Sequence, residues 1–270
     1  MDDATFLKQT TSFIQDKSHK MDKKYISIGL MLAVMVATAN PVQSELPINI
    51  SVIKSNAKAK DVEVKNFNSV AAGGPLQVIV TLGNKEGIRF EGDEEAISTL
   101  VTEVKGSALI IRPKMSWTSW SHKYKDKKII AHVSAKTISS LTMSGDGSIT
   151  VKGTINNNSL VTTLSGSGSI SATVDVQEFT AVVSGSGKLN ITGDAGDVSA
   201  TISGSGVLSK KGALKVDNLS ARISGSGSAY VHTNGEISAY VSGSGKVYYT
   251  GNADISEKKF LGSGGVKKLD

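Results

Sequence analysis

The sequence predicts an all-β protein: a right-handed parallel β-helix preceded by an N-terminal β-rich capping region. Three observations predict it. The motif Ser-Gly-Ser-Gly starts at Ser165, Ser184, Ser203, Ser224 and Ser242, and Ser-Gly-Asp-Gly starts at Ser144. The intervals are 21, 19, 19, 21 and 18 residues, and 19 more reach a degenerate copy at Leu261, a period that marks stacked supersecondary units. One residue before each motif stand Met143, Leu164, Val183, Ile202, Ile223 and Val241. Three before stand Leu141, Thr162, Ala181, Ala200, Ala221 and Ala239, and five before stand Ser139, Leu160, Phe179, Val198, Leu219 and Ile237. Small or apolar residues at every second position are the signature of a strand with one buried face. Five residues after each leading serine come Ile149, Ile170, Leu189, Leu208, Ala229 and Val247, so a second strand follows each motif.

Glycine and serine also make flexible linkers, but a linker has no reason to keep such columns. A glycine in regular structure costs roughly 0.5 to 1 kcal/mol relative to alanine. The pairs Gly145 and Gly147, Gly166 and Gly168, Gly185 and Gly187, Gly204 and Gly206, Gly225 and Gly227, and Gly243 and Gly245 therefore need a structural reason. A sharp corner between strands supplies it, because glycine accepts positive φ and lets backbones approach closely. Coils of parallel strands stack at about 4.8 Å; six or seven make a rod roughly 30 Å long, with the corner serines as a hydroxyl ladder. The right hand follows from the crossover rule for parallel strands. Both open ends need caps.

Along the chain, Met21-Asp22-Lys23-Lys24 precedes an apolar run from Tyr25 to Ala37, followed by the small-residue sites Ala37-Thr38-Ala39 and Val42-Gln43-Ser44. This reads as a signal peptide with an apolar core too short to span a bilayer. Residues 1–44 are thus expected to lie outside the fold, with Met21 as the true start, and the mature chain to be exported: periplasmic, outer-surface or secreted. Residues 45–61 read as a lead-in segment. Residues 62–133 carry strands at Leu76–Val80, Gly87–Phe90, Ala108–Ile111 and Ile129–Val133. Between them, residues 93–104 read as a short helix with acids in its first turn and Ile97, Leu100, Val101 and Val104 on one face. Residues 134–262 hold the coils, and residues 263–270 read as a C-terminal tail. In the last copy Lys258 and Lys268 replace core-column residues, as an end cap would.

The composition narrows the function. Hydrophobic residues make up 39% of the 270 and aromatic ones 5%, enough for a core filled by small aliphatics. The net charge of +6 arises from 30 basic and 24 acidic residues, interspersed and too mild to argue for nucleic acid. Without cysteine there are no disulfides, thiolate catalysis or lipid-modified cysteine, and the four histidines are scattered. The Gly-x-Gly pairs are followed by strands, whereas a dinucleotide site needs a helix. Calcium-binding rolls need an acid in every turn, and only Asp146 sits in a motif. No metal or cofactor is expected. For a polysaccharide lyase or hydrolase, Asp146, Asp175, Asp194, Asp197, Asp217 and His232 are the candidates. Their offsets from the motif place most on different faces, and Gly193 and Gly196 make Asp194 and Asp197 read as a solvated turn.

The most suggestive binding stretch is residues 116–128, where Trp117, Trp120, His122, Lys123, Tyr124, Lys125, Lys127 and Lys128 interleave with serine. Aromatic faces there can stack on sugars and lysines can meet anionic glycans or headgroups. The preferred alternative is a long hairpin loop whose tryptophans fold down over the first coil as a cap. Tyr230 and Tyr248 share one position in neighbouring copies and would stack outward.

The run VKNFNSVAAGGPLQVIVTLGNKEGIRFEGDEEAISTLVTEVKGSALIIRP, followed by SSLTMSGDGSITVKG and the repeats, resembles the bacterial family of putative auto-transporter adhesins, head GIN domain, over about residues 62–262. Gly153-Thr154-Ile155-Asn156 and Leu189–Gly193 are loose versions of the tripeptide that names it. The resemblance implies a β-helix of pectin lyase-like architecture without a catalytic centre, and a role in adhesion. The expectation is a noncatalytic binding module of the bacterial envelope or surface. Its partner would be a glycan, an envelope component or a host-surface ligand. No nucleic acid is expected, nor a transmembrane segment in the mature chain. The alternatives are a carbohydrate-active β-helix enzyme and a self-associating structural protein that forms homo-oligomers.

Overall fold

A computed structural model describes residues 59–115, 117–124, 127–210 and 213–270. The expected signal peptide, and the lead-in as far as residue 58, lie outside these residues. The described chain is a β-solenoid of about seven turns. Strands β8 (Ser140–Gly145), β9 (Ser148–Gly166), β10 (Ser169–Gly185) and β11 (Lys188–Gly204) each end on a glycine corner. Strands β12 (Val207–Leu208), β13 (Leu214–Gly225), β14 (Ser228–His232), β15 (Glu236–Gly243), β16 (Lys246–Thr250), β17 (Asp254–Leu261) and β18 (Gly265–Lys268) continue the pattern. Successive coils pair in parallel and in register: Ser165, Ser184, Ser203, Ser224 and Ser242 are direct neighbours, as are the glycines that follow them. The strand β18 extends the last coil through residues expected as a tail, pairing with β16.

The columns read from the sequence form the interior. Leu164, Val183, Ile202, Ile223 and Val241 are buried, and so are Ile149, Ile170, Leu189, Leu208, Ala229 and Val247 on the facing strands. One column member differs: Ser139 is half-buried and Ile138 takes the inward place at the first coil. The motif corners are closed by backbone contact. Gly185 has φ +113°, and a Cβ there would lie 2.5 Å from the carbonyl oxygen of Gly166; only glycine allows the coils to meet at strand spacing. Ser167 and Gly168 both donate their N–H to the Gly145 carbonyl, and the same kind of link recurs coil after coil.

The N-terminal end departs from sequential stacking. Strands β2 (Ser69–Gly73) and β3 (Gln77–Leu82) lie between a coil made of β6 (Ala108–Pro113) and β7 (Ile129–Ala135) and the coil made of β8 and β9. The outer coil is thus laid down later in the chain than the inner one. Its edges are closed by antiparallel strands: β5 (Leu100–Lys105) on β6, and β4 (Gly87–Gly92) on β7, with β1 (Ala59–Val62) on β4. Antiparallel closure can turn the chain back within a few residues, which parallel pairing cannot.

Helix α1 spans only Glu94–Ser98, capped by the Asp93 carboxylate, which accepts from the Ala96 N–H at 3.0 Å. The expected continuation to Val104 is instead β5. Thr99 ends the helix by donating its N–H and its hydroxyl to the Ala96 carbonyl. The β-branched Val101, Thr102 and Val104 then pair with β6, the setting their stiff χ1 favours. At the far end Lys258 and Lys268 are exposed beside Ala239 and Tyr249 of the preceding coil, and with Lys259 and Lys267 they leave a lysine-bearing edge, a device against strand addition.

Candidate functional site

The described part of the stretch expected as a hairpin loop, residues 117–124, is helical. Its backbone forms helix α2, Trp117–Tyr124, with Trp120 and Tyr124 one turn apart. Trp120 is fully buried, and its indole N–H donates to Thr99 Oγ1 at 2.8 Å. The Tyr124 ring packs on it at 5.2 Å between centroids, and the Tyr124 hydroxyl donates to Glu95 Oε1 at 3.1 Å. An indole held this way has no face to offer a ligand, so Trp120 and Tyr124 anchor α2 onto α1.

Two lysines of the stretch are engaged in the same joint. Lys123 Nζ lies 2.8 Å from Glu95 Oε1 and 5.0 Å from the Tyr124 ring centre; Lys127 Nζ lies 2.8 Å from Asp93 Oδ2. The hydrogen bond from Lys123, then that from Tyr124, holds the Glu95 carboxyl below the usual carboxylate range. Lys127, then the Ala96 N–H, does the same for Asp93. The Lys123 ammonium is raised, chiefly by its bond to Glu95. His122 and Lys128 are exposed, Trp117 opens the helix, and Lys125 lies outside the described residues.

Tyr230 and Tyr248 do stack outward, with centroids 4.7 Å apart and planes 12° from parallel. Each ring covers one face of the other, as in-register neighbours on adjacent coils.

A concave surface lies elsewhere, at the second bend of the coils, where a groove of about 460 Å³ crosses four of them. One wall is a column running Asn156, Asp175, Asp194, Lys215, His232 and Thr250, each the in-register neighbour of the next. Across the bend, Ser159, Glu178, Asp197, Asn218, Glu236 and Asp254 form a second column. Between them the outward positions are Gln177, Gly196, Asp217 and Asn234. Asp175, Asp194, Asp217 and His232, most of them expected on different faces, therefore share one groove, whereas Asp197 stands in the column beside it and Asp146 at a motif corner.

Two facts of coil length conceal this in the sequence. Asp175 and Asp194 both stand ten residues after their leading serine, but Lys215 stands twelve after and His232 eight after. The longer coil spends its extra residues between β12 and β13, where Ser209 turns with φ +62°. The shorter one omits them. Aligning the coils from their strand partners rather than from the preceding motif recovers the column.

The groove is held by side-chain ladders. Asn156 donates to Asp175 at 3.4 Å, Asn218 donates to Asp197 at 2.9 Å, and Asn218 Oδ1 accepts the Glu236 N–H at 3.2 Å. Lys215 Nζ lies 4.0 Å from Asp194, with both side chains about two-thirds exposed, 65% and 68%. His232 Nδ1 lies 2.9 Å from Thr250 Oγ1. At the floor, buried Thr233 donates to the Asp217 carbonyl and accepts from the Gly235 N–H. A Cβ at Gly196 would lie 2.6 Å from the Gln177 carbonyl, and one at Gly235 would strike that of Asp217; glycine at these two places lets the neighbouring coils approach. Among the described residues no three His, Asp or Glu side chains converge to hold a metal, and no helix is long and apolar enough to cross a membrane.

The fold class is thus a β-solenoid, closed by a helical joint at one end and grooved along one bend. The chain belongs to the family described as putative auto-transporter adhesin, head GIN domain, whose profile matches residues 66–253. Its fold is similar to that of a putative adhesin from Bacteroides fragilis, with TM-score 0.67 and 19% identity over 78% of this chain and 96% of that one. It is also similar to a putative lipid binding protein from Parabacteroides distasonis, with TM-score 0.61 and 19% identity over 78% and 96%. A putative adhesin from Parabacteroides merdae gives TM-score 0.60 and 18% identity over 81% and 99%. No curated protein matches the sequence.

Proposed function

We propose that this chain is a noncatalytic adhesion module of the bacterial envelope or surface, exported behind the apolar segment of residues 25–37. One observation carries the reading: the framework repeats from coil to coil while the side chains at the second bend do not. In successive coils the same four places hold Asn-Asn-Asn-Ser, Asp-Val-Gln-Glu, Asp-Ala-Gly-Asp and Lys-Val-Asp-Asn. A frame that is constant and a surface that varies is how solenoids build extended recognition faces. The family description and the two neighbouring adhesins agree with it.

One observation favours a second reading, a carbohydrate-active enzyme: Asp175 and Asp194 occupy adjacent strands of the groove, which sit about 4.8 Å apart. Both are exposed, and Asp194 faces Lys215, whereas a general acid needs an environment that shifts it toward working pH. The test is saturable binding of the purified full chain to immobilised peptidoglycan, host matrix and whole bacterial cells, with reducing-end release from polysaccharides measured in parallel. Saturable binding without release supports adhesion. Turnover, or no binding to any surface, overturns it.

A further inference from the structure

We infer that the groove at the second bend binds one extended, uncharged oligosaccharide strand lying along the solenoid axis, about one sugar ring per coil. This rests on the adhesion reading and names the ligand class of the same surface.

Geometry is the first argument. The groove crosses four coils, so its length is about three strand spacings, roughly 14 Å. Each coil offers polar groups at that interval: Asp175 and Gln177, then Asp194, then Lys215 and Asp217, then His232 and Asn234. The interval is comparable to the length of one pyranose ring in an extended chain. A ligand whose own repeat matches the coil meets the same kind of group at every step.

Chemistry is the second. Carboxylates accept, ammonium donates, and amides do both. A hydroxyl also does both, so adjacent hydroxyls of a sugar can satisfy any of these groups, with charge-assisted bonds to the aspartates. A uniformly anionic chain would meet Asp175, Asp194 and Asp217 against the single ammonium of Lys215 among the lining residues. A peptide strand would need free backbone at a sheet edge, but here the coils pair with each other through the bend: Asp175 with Asp194, Asp194 with Lys215, Asp197 with Asn218. A lipid tail would need an apolar trough. Val176, Ala195 and Val216 lie largely buried between polar rows, so the apolar part of the groove is broken up and forms no continuous trough.

The test is titration of the full chain with neutral hexasaccharides (β-1,4-linked glucose, mannose and xylose, and α-1,4-linked glucose) and with hexagalacturonate. The double variant Asp175→Ala with Asp194→Ala is compared, and Lys128→Ala on the cap serves as control. The expected result is binding of at least one neutral hexamer, weakened roughly tenfold or more in the double variant with an unchanged thermal midpoint, and unaffected by Lys128→Ala. Binding of hexagalacturonate alone, binding of none, or binding that the double variant leaves intact would overturn the inference. The two failures separate cleanly. Cell-surface binding that survives the double variant removes the groove and leaves adhesion standing, whereas a chain that binds no surface removes adhesion itself.

Discussion

The two bends of each coil solve the same geometric problem in opposite ways. At the first, Ser-Gly-Ser-Gly is written again and again, and the coils meet backbone to backbone with a carbonyl where a side chain would otherwise be. At the second, hardly any place repeats: Gly193 turns one coil with φ +101°, while its neighbours carry Val174 and Leu214 there. The first bend leaves no room for variation. The second tolerates it at its outward places, such as Asp175, Asp194 and Lys215, which lie in solvent, while its inward places, such as Val174 and Leu214, stay buried and Gly196 and Gly235 close on the neighbouring backbone. Constancy marks where the fold is fixed, and drift marks where the surface is free to acquire chemistry.

The sharpest way to break this contrast is Gly185→Ala. The residue has φ +113° and its new methyl would sit 2.5 Å from the Gly166 carbonyl. Backbone strain of about 1 to 3 kcal/mol adds to an overpacking penalty of similar size. The expected loss is roughly 2 to 6 kcal/mol, or about ten degrees in midpoint for a domain of this size, read by thermal melting. A variant that melts with the wild type would mean the coils are not closed through this contact.

The same contrast explains what could be read in advance. The inner columns were legible because a parallel solenoid writes one environment many times, and Val183, Ile202 and Ile223 report it independently. The cap was less so. Helix α2 exists because Trp120 finds Thr99 and Tyr124 finds Glu95, 21 and 29 residues away in sequence, and such single tertiary contacts leave no period. The i to i+4 spacing of Trp120 and Tyr124 was the one local hint. The groove was hidden for a third reason: its column crosses coils of unequal length, so a count from the motif loses Lys215 and His232. Functional surfaces are where local rules are expected to fail.

Acid should separate parts held by charge from parts held by neutral backbone bonds. Glu95 and Asp93 are both held below the usual carboxylate range by their partners in α2 and its flank. A lowered folded value means the stabilisation is fully present above the unfolded value, about pH 4, and is lost as pH falls through the lowered one. The cap should therefore loosen below about pH 4 while the coils keep their sheet. Tryptophan emission reports the cap, because both tryptophans of the chain are in α2, and far-ultraviolet dichroism reports the coils. Glu95→Gln should blunt the emission change. Simultaneous loss of both signals would mean the joint and the solenoid are one cooperative unit.

The smallest effects belong to the second bend itself. Asp175 is exposed and accepts one long bond from Asn156, so Asp175→Ala should move stability by no more than about 0.5 kcal/mol. Asn218 is different, because it donates to Asp197 with one end and accepts the Glu236 N–H with the other. Asn218→Ala loses both links and should cost about 0.5 to 1.5 kcal/mol, measurable by urea unfolding. The pair tests whether the groove has an internal division, with Asn218 bracing the bend and Asp175 left to meet a ligand. Equal costs would erase that division, and a cost at Asp175 as large as that of Gly185→Ala would erase the distinction between the two bends.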